Sequence, residues 1–114
     1  MVVEFLRTEA GECPVEEFLD RLAPKDAQKV PCVLRLIERL ERVPASYLKK
    51  LVGTEGIWEV RAQGTRQTFR ILSFRHGDGL WVMNGYSKKS RRTDAQEVRR
   101  AERMRRGFIT RQGD

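Results

Sequence analysis

The chain is short of the residues that most small enzymes and stapled scaffolds depend on. Its 114 residues include one histidine, two cysteines and four prolines. No apolar stretch approaches the ~20 residues that a bilayer-spanning helix needs, so no membrane partner is expected. The N-terminus, Met1-Val2-Val3-Glu4, lacks the basic region and apolar run of a secretory leader, and a cytoplasmic location is the expectation. Cys13 and Cys32 fit neither a metal spacing nor a disulfide framework. They read as small hydrophobes packed near helix starts, and neither a metal nor another cofactor is expected.

What the sequence has in excess is positive charge, and it is unevenly placed. The chain carries 23 Lys plus Arg against 16 Asp plus Glu, a net +7. Residues 1–48 hold 7 basic and 9 acidic groups, whereas residues 49–92 hold 10 basic and 3 acidic. Such segregation makes a field that attracts polyanions, and nucleic acid is the leading partner class. The length suits a single domain over residues 1–114, able to bury roughly two thirds of its unfolded surface.

Hydrophobic periodicity predicts the order strand, helix, helix, three strands, helix. Val2 to Arg7 reads as a strand. Pro14 suits a first helical turn, and Val15, Phe18, Leu19 and Leu22 follow at the spacing of a buried stripe. A second helix uses Val30, Val33, Leu34, Ile37 and Leu40, with Pro31 expected to kink or restart it and Pro44 to close it. Thr93 with Gln96 forms a capping box for a last helix from about Asp94 to Phe108. Its outer face carries Arg99, Arg100, Arg103 and Arg106.

Period 2 decides which strand residues act together. With Gly64-Thr65 as a two-residue turn, Arg61 opposes Thr68 and Glu59 opposes Arg70. With Arg75 to Gly79 as the next loop, Arg70 opposes Asn84 and Thr68 opposes Tyr86. One face then carries Trp58, Val60, Ala62, Phe69, Ile71, Ser73, Trp81, Met83 and Gly85, and packs on helices. The other has an apolar end of Ile57, Leu72, Phe74, Leu80 and Val82, which needs the last helix or a partner as cover. At its polar end gather Glu59, Arg61, Thr68, Arg70, Asn84 and Tyr86. That cluster is the candidate phosphate site, set against a plainer reading in which Arg70 pairs with Glu59 and Arg61 is solvated. Lys49 and Lys50 precede the sheet, and Lys88, Lys89, Arg91 and Arg92 follow it. His76 falls in the second loop and is given no catalytic part.

Several segments follow one another in a telling order: Cys13-Pro14-Val15-Glu16-Glu17-Phe18-Leu19, Leu51-Val52-Gly53, Gly56-Ile57-Trp58-Glu59-Val60-Arg61, Phe69-Arg70-Ile71 and Gly85-Tyr86-Ser87-Lys88-Lys89-Ser90. Together they resemble the phage-derived HigB-like branch of the RelE/ParE toxin superfamily, over about residues 2–108. The resemblance implies a RelE-like α+β fold: an antiparallel-dominated twisted sheet of about four strands, two N-terminal helices on one face and a C-terminal helix. It implies a type II toxin that cleaves mRNA, commonly on the ribosome. It also implies a helix-turn-helix antitoxin as partner, with the toxin monomeric when free and hetero-oligomeric in the complex.

The residues permit that chemistry. Metal-independent RNA cleavage uses the RNA's own 2′-hydroxyl, so the protein must deprotonate it, stabilise the phosphorane and protonate the leaving 5′-oxygen. Arg61 and Arg70 suit bidentate phosphate clamping. Lys88 and Lys89, crowded by Arg91 and Arg92, are candidates for general base or charge stabiliser. Tyr86 is a candidate for stacking or proton transfer. Lys49, Lys50, Arg91, Arg92, Arg99 and Arg103 are the expected RNA and ribosome contacts. Two other readings stand beside the endoribonuclease: a ParE-like inhibitor of DNA gyrase, and a relative that only binds RNA or its antitoxin.

Overall fold

The computed structural model describes residues 1–87 and 91–112, and for residues 91–94 the backbone alone. Along the chain lie β1 (Val2–Phe5), α1 (Pro14–Asp20), α2 (Pro24–Ala27), α3 (Lys29–Arg39), β2 (Leu48–Lys50), β3 (Trp58–Gln63), β4 (Thr68–His76), β5 (Gly79–Ser87) and α4 (Arg91–Arg111). The sheet order is β1-β5-β4-β3-β2. β1 runs parallel to β5, and the other pairs are antiparallel. The mixed α+β architecture agrees with the sequence, but the sheet has five strands rather than four. The added strand, β2, is three residues long, too short for alternation to announce it. Likewise β1 stops at Phe5, and the four-residue α2 precedes the second expected helix.

Local chemistry accounts for the helix ends. Pro14 occupies the first turn of α1, where no intrahelical bond needs its missing N–H, and Glu16 and Glu17 face the positive end of the helix dipole. Pro31 sits in the first turn of α3, so it is accommodated there and the interruption falls earlier, at Gln28. α4 begins at Arg91, which puts Thr93 and Gln96 inside the helix instead of at its cap. Cys13 is buried at the start of α1, whereas Cys32 is exposed on α3 and not packed as expected.

Helices cover both faces of the sheet. Val15 and Phe18 of α1 and Val30, Leu34 and Ile37 of α3 pack against Val60, Phe69, Ile71 and Val82. On the other face, Ala101 and Phe108 of α4 pack against Ile57, Leu72, Phe74 and Met83. The apolar end of the open face is therefore covered by the chain's own last helix. Phe108 lies 5.3 Å from Phe74 and 4.7 Å from Trp81 between ring centroids. α1 approaches closely because position 85 has no side chain: a Cβ on Gly85 would lie 2.4 Å from Phe18 Cδ2.

The register differs from the sequence expectation in two ways. The β3–β4 connection spans the four residues 64–67, closed by Gly64 N–H donating to the Gln67 carbonyl at 2.8 Å. Arg61 consequently pairs with Arg70 and Glu59 with Leu72. This slip of two residues keeps every side chain on its expected face. Arg70 is likewise paired with Tyr86 rather than with the expected Asn84, again a slip of two; beyond it Leu72 pairs with Asn84 and Ser73 with Val82, which leaves Met83 of β5 as an extra, bulged residue. A bulge of one residue reverses the faces beyond it. Leu80 and Val82 therefore join the α1–α3 core, and Met83 and Trp81 turn to α4, the reverse of the expectation. The β4–β5 turn is Gly77-Asp78, with Gly77 supplying a φ of 59°. Arg75 and His76 thus belong to β4 and not to a loop, and the His76 ring stands edge-on to Phe108 at 5.2 Å.

Candidate nucleic-acid interface

Arg61 and Arg70 are direct cross-strand neighbours on the α4 face of the sheet, toward its β2 edge. Glu59 lies two residues before Arg61, on the same face. Its Oε1 accepts from Arg61 Nε at 2.7 Å and from Arg70 Nη1 at 2.6 Å. The Glu59 side chain is only 4% exposed, against 15% for Arg70 and 32% for Arg61. A buried carboxylate thus fixes two guanidiniums from beneath while both keep surface toward solvent. Burial alone would push the Glu59 carboxyl up, but the hydrogen bonds from Arg70 and Arg61, with their charges, outweigh it and hold the group below its ordinary value. Glu59 is therefore ionised at neutral pH. Two guanidiniums share its one charge, so the cluster stays positive. The plainer pairing of Arg70 with Glu59 and the phosphate-site reading are compatible, since the carboxylate orients what a phosphate would meet.

Around the arginines is a shallow cavity of about 370 Å³ lined by Ser46, Tyr47, Arg61, Gln63, Thr68 and Arg70. Thr68 Oγ1 donates to Gln63 Oε1 at 3.0 Å across the strands. The sequence reading missed Tyr47, Ser46 and Gln63. Tyr47 reaches the site because Arg61 N–H donates to its carbonyl at 2.9 Å, which extends the β2–β3 ladder by one residue. Alternation of Tyr47 and Lys49 about the buried Leu48 is the signal that would have found it.

β2 separates the two lysines assigned together. Lys49 pairs with Glu59 and so shares the face of the arginines, whereas Lys50 pairs with Trp58 and points to the opposite face. Asn84 leaves the expected cluster: it is 1% exposed, and its Nδ2 donates to Glu97 Oε1 of α4 at 2.8 Å. Tyr86 is the β5 neighbour of Arg70, but its side chain is packed into the α4 core at 6% exposure. It also borders a second cavity of about 390 Å³ with Phe18, Arg21, Gln67 and Glu97. Arg99 and Arg103 are exposed on α4. Arg103 borders a small cavity with Leu6, Thr8 and Glu9, on the β1 side of the helix, and so stands apart from Arg61 and Arg70. Lys88 and Lys89, and the side chains of Arg91 and Arg92, lie outside the described residues.

Among the described residues no helix is long and apolar enough to cross a membrane. No curated protein matches the chain. Residues 17–106 match the model of a family described as phage derived protein Gp49-like (DUF891).

Proposed function

This chain belongs to the Gp49-like family of phage-derived proteins, which is associated with toxin–antitoxin pairs, and we propose that it is the toxin of a type II pair, of the HigB-like RelE branch. In this reading it is a metal-independent endoribonuclease acting on ribosome-bound mRNA, and a helix-turn-helix antitoxin neutralises it. The observation that carries the reading is the Arg61–Arg70 pair, adjacent across two strands, anchored on buried Glu59 and open to a cavity large enough for a nucleotide's phosphate and sugar.

The chemistry runs on the RNA itself. The 2′-oxygen loses its proton to a base and attacks the adjacent phosphorus. The P–O5′ bond breaks as the 5′-oxygen takes up a proton, which leaves a 2′,3′-cyclic phosphate and a 5′-hydroxyl. Arg61 and Arg70 would donate to the non-bridging oxygens, where negative charge builds in the phosphorane. Their fixed geometry matters because donors already in place need no reorganisation at the moment of reaction. Glu59, held ionised between two arginines, is a poor proton acceptor and acts by orienting them. By their place in the sequence, Lys88 and Lys89 are our candidates for proton transfer or charge stabilisation, and Lys49 would add a phosphate contact on the face of Arg61 and Arg70.

Incubating the protein with translating ribosomes and mapping the mRNA ends tests this reading. Cuts within codons at the ribosomal A site are expected. Intact mRNA with lost gyrase supercoiling would replace the reading with gyrase inhibition, and intact mRNA with normal supercoiling would reduce the protein to a binder.

A further inference from the structure

The cavity beside the arginines holds one aromatic ring, that of Tyr47, and we infer that it is the platform on which a nucleobase of single-stranded RNA stacks when the neighbouring phosphate is held by Arg61 and Arg70. The inference rests on the phosphate-clamp reading above and adds a base subsite to it.

Three features converge on a nucleotide as the ligand. Tyr47 and the two arginines line the same cavity, whose volume of about 370 Å³ suits a single nucleotide. The backbone of Tyr47 is pinned on both sides: its N–H donates to the Pro44 carbonyl at 2.9 Å, and its carbonyl accepts from Arg61 N–H at 2.9 Å. Tyr47 is therefore held directly opposite Arg61 at the end of the β2–β3 ladder, which puts its side chain on the face of the two arginines, and it is not the tip of a free loop. It is half-buried, with surface left for a ligand. The remaining lining groups, the Gln63 amide and the Thr68 and Ser46 hydroxyls, can both donate and accept. Base edges and a ribose 2′-hydroxyl need that versatility, whereas a bare phosphate needs only donors. An aromatic side chain, a cationic phosphate clamp and neutral polar groups are the combination by which single strands are held. Stacking tolerates any base, so this subsite sets position along the strand, and discrimination among bases is left to the polar groups around it, Ser46, Gln63 and Thr68.

The test uses the full chain and a set of single-stranded RNAs of about six nucleotides, 2′-O-methylated to block cleavage and carrying 2-aminopurine at one position each. Wild type and Tyr47→Phe should bind alike and quench one position of the label. Tyr47→Leu should weaken binding about tenfold or more and abolish that quenching, with the salt dependence unchanged. Arg61→Ala should instead lower the log–log salt slope by about 0.7. Should Tyr47→Leu fail to fold, Tyr47→Trp serves in its place and should keep both affinity and quenching. Wild-type affinity and quenching in Tyr47→Leu, or their loss in a folded Tyr47→Trp, overturns the stacking platform; the phosphate clamp then survives if Arg61→Ala still lowers the slope. A wild-type protein that binds none of these RNAs at low salt overturns both.

Discussion

Arg61 and Arg70 donate to the same oxygen of Glu59, at 2.7 and 2.6 Å. One carboxylate oxygen therefore sets the positions of two guanidiniums that belong to different strands. The sheet brings their Cα atoms opposite one another, and Glu59 turns that proximity into a defined pair. Without the carboxylate, two adjacent like charges would repel, and each long side chain would sample several rotamers.

Substituting Glu59 should thus cost stability as well as order. Glu59→Gln keeps the shape but removes the charge that both arginines share, and a hydrogen bond to a charged group is worth about 1.5–3 kcal/mol. Urea unfolding at neutral pH should show a loss of about 2 kcal/mol. An unchanged midpoint would mean that the pair contributes nothing to folding.

Acid should erase the difference between the two proteins. The Glu59 carboxyl sits below its ordinary value of 4.5 because Arg70 and Arg61 outweigh the effect of burial. A group lowered in this way stabilises the fold above its unfolded value, and that contribution is lost as pH falls through the folded one. Wild type and Glu59→Gln should differ most above about pH 5 and converge steadily as the pH is taken below 4.5. A gap that stays constant to pH 2 would rule out Glu59 as the titrating group.

RNA binding should fall steeply with salt. About five phosphate contacts to a single strand give a log–log slope near −3.5, and removing two of them lowers its magnitude by about 1.4. Arg61→Ala combined with Arg70→Ala should show that reduction and relieve growth inhibition. A folded double variant that remains as toxic as wild type contradicts the proposed site.

Core variants should rank by burial rather than by side-chain size. Phe69 is fully buried, and Phe69→Ala should cost about 3–5 kcal/mol. Trp58 is only half-buried at the rim of the same core, with the Arg75 guanidinium 6.0 Å from its ring. Trp58→Ala should cost less, because the exposed part of the ring gains little from folding. Thermal unfolding of both variants checks the order, which reverses if Trp58 is the true keystone.

Position 85 tests the approach of α1 to the sheet. Gly85→Ala places a Cβ 2.4 Å from Phe18 Cδ2, so α1 or the ring must shift, at about 1–3 kcal/mol. The companion Gly85→Ala, Phe18→Leu should recover part of that loss in urea unfolding. If the single variant is as stable as wild type, the close approach is not a constraint.

Much of this architecture was legible in the chain. Apolar spacing located α1, α3 and α4, and alternation located β3, β4 and β5, because these segments are long enough for a period to show. β2 and α2 were missed, since three or four residues carry no period. The Glu59–Arg61 side of the sheet was read correctly although the register was off by two, because a slip of two leaves every side chain on its face. The opposite error occurred along β5, where one bulged residue at Met83 exchanged Leu80 and Val82 with Trp81 and Met83. Nothing in Leu80-Trp81-Val82-Met83 signals the bulge, as each of these side chains is apolar and suits either core.

By itself the sequence determined that the chain concentrates cations after residue 48, that Arg61 and Arg70 lie on one face of the sheet, and that its last helix is amphipathic. These follow from composition and from periods of 2 and 3.6 residues, which act over a few neighbours. Only tertiary structure decided that Arg61 and Arg70 stand side by side on one carboxylate, that Lys49 joins them while Lys50 does not, and that Tyr47 closes the cavity as Asn84 and Tyr86 withdraw beneath α4. Those choices depend on strand pairing, turn length and a bulge, where a displacement of one or two residues changes every neighbour a side chain meets. That information lies in contacts between distant parts of the chain and has no local signature.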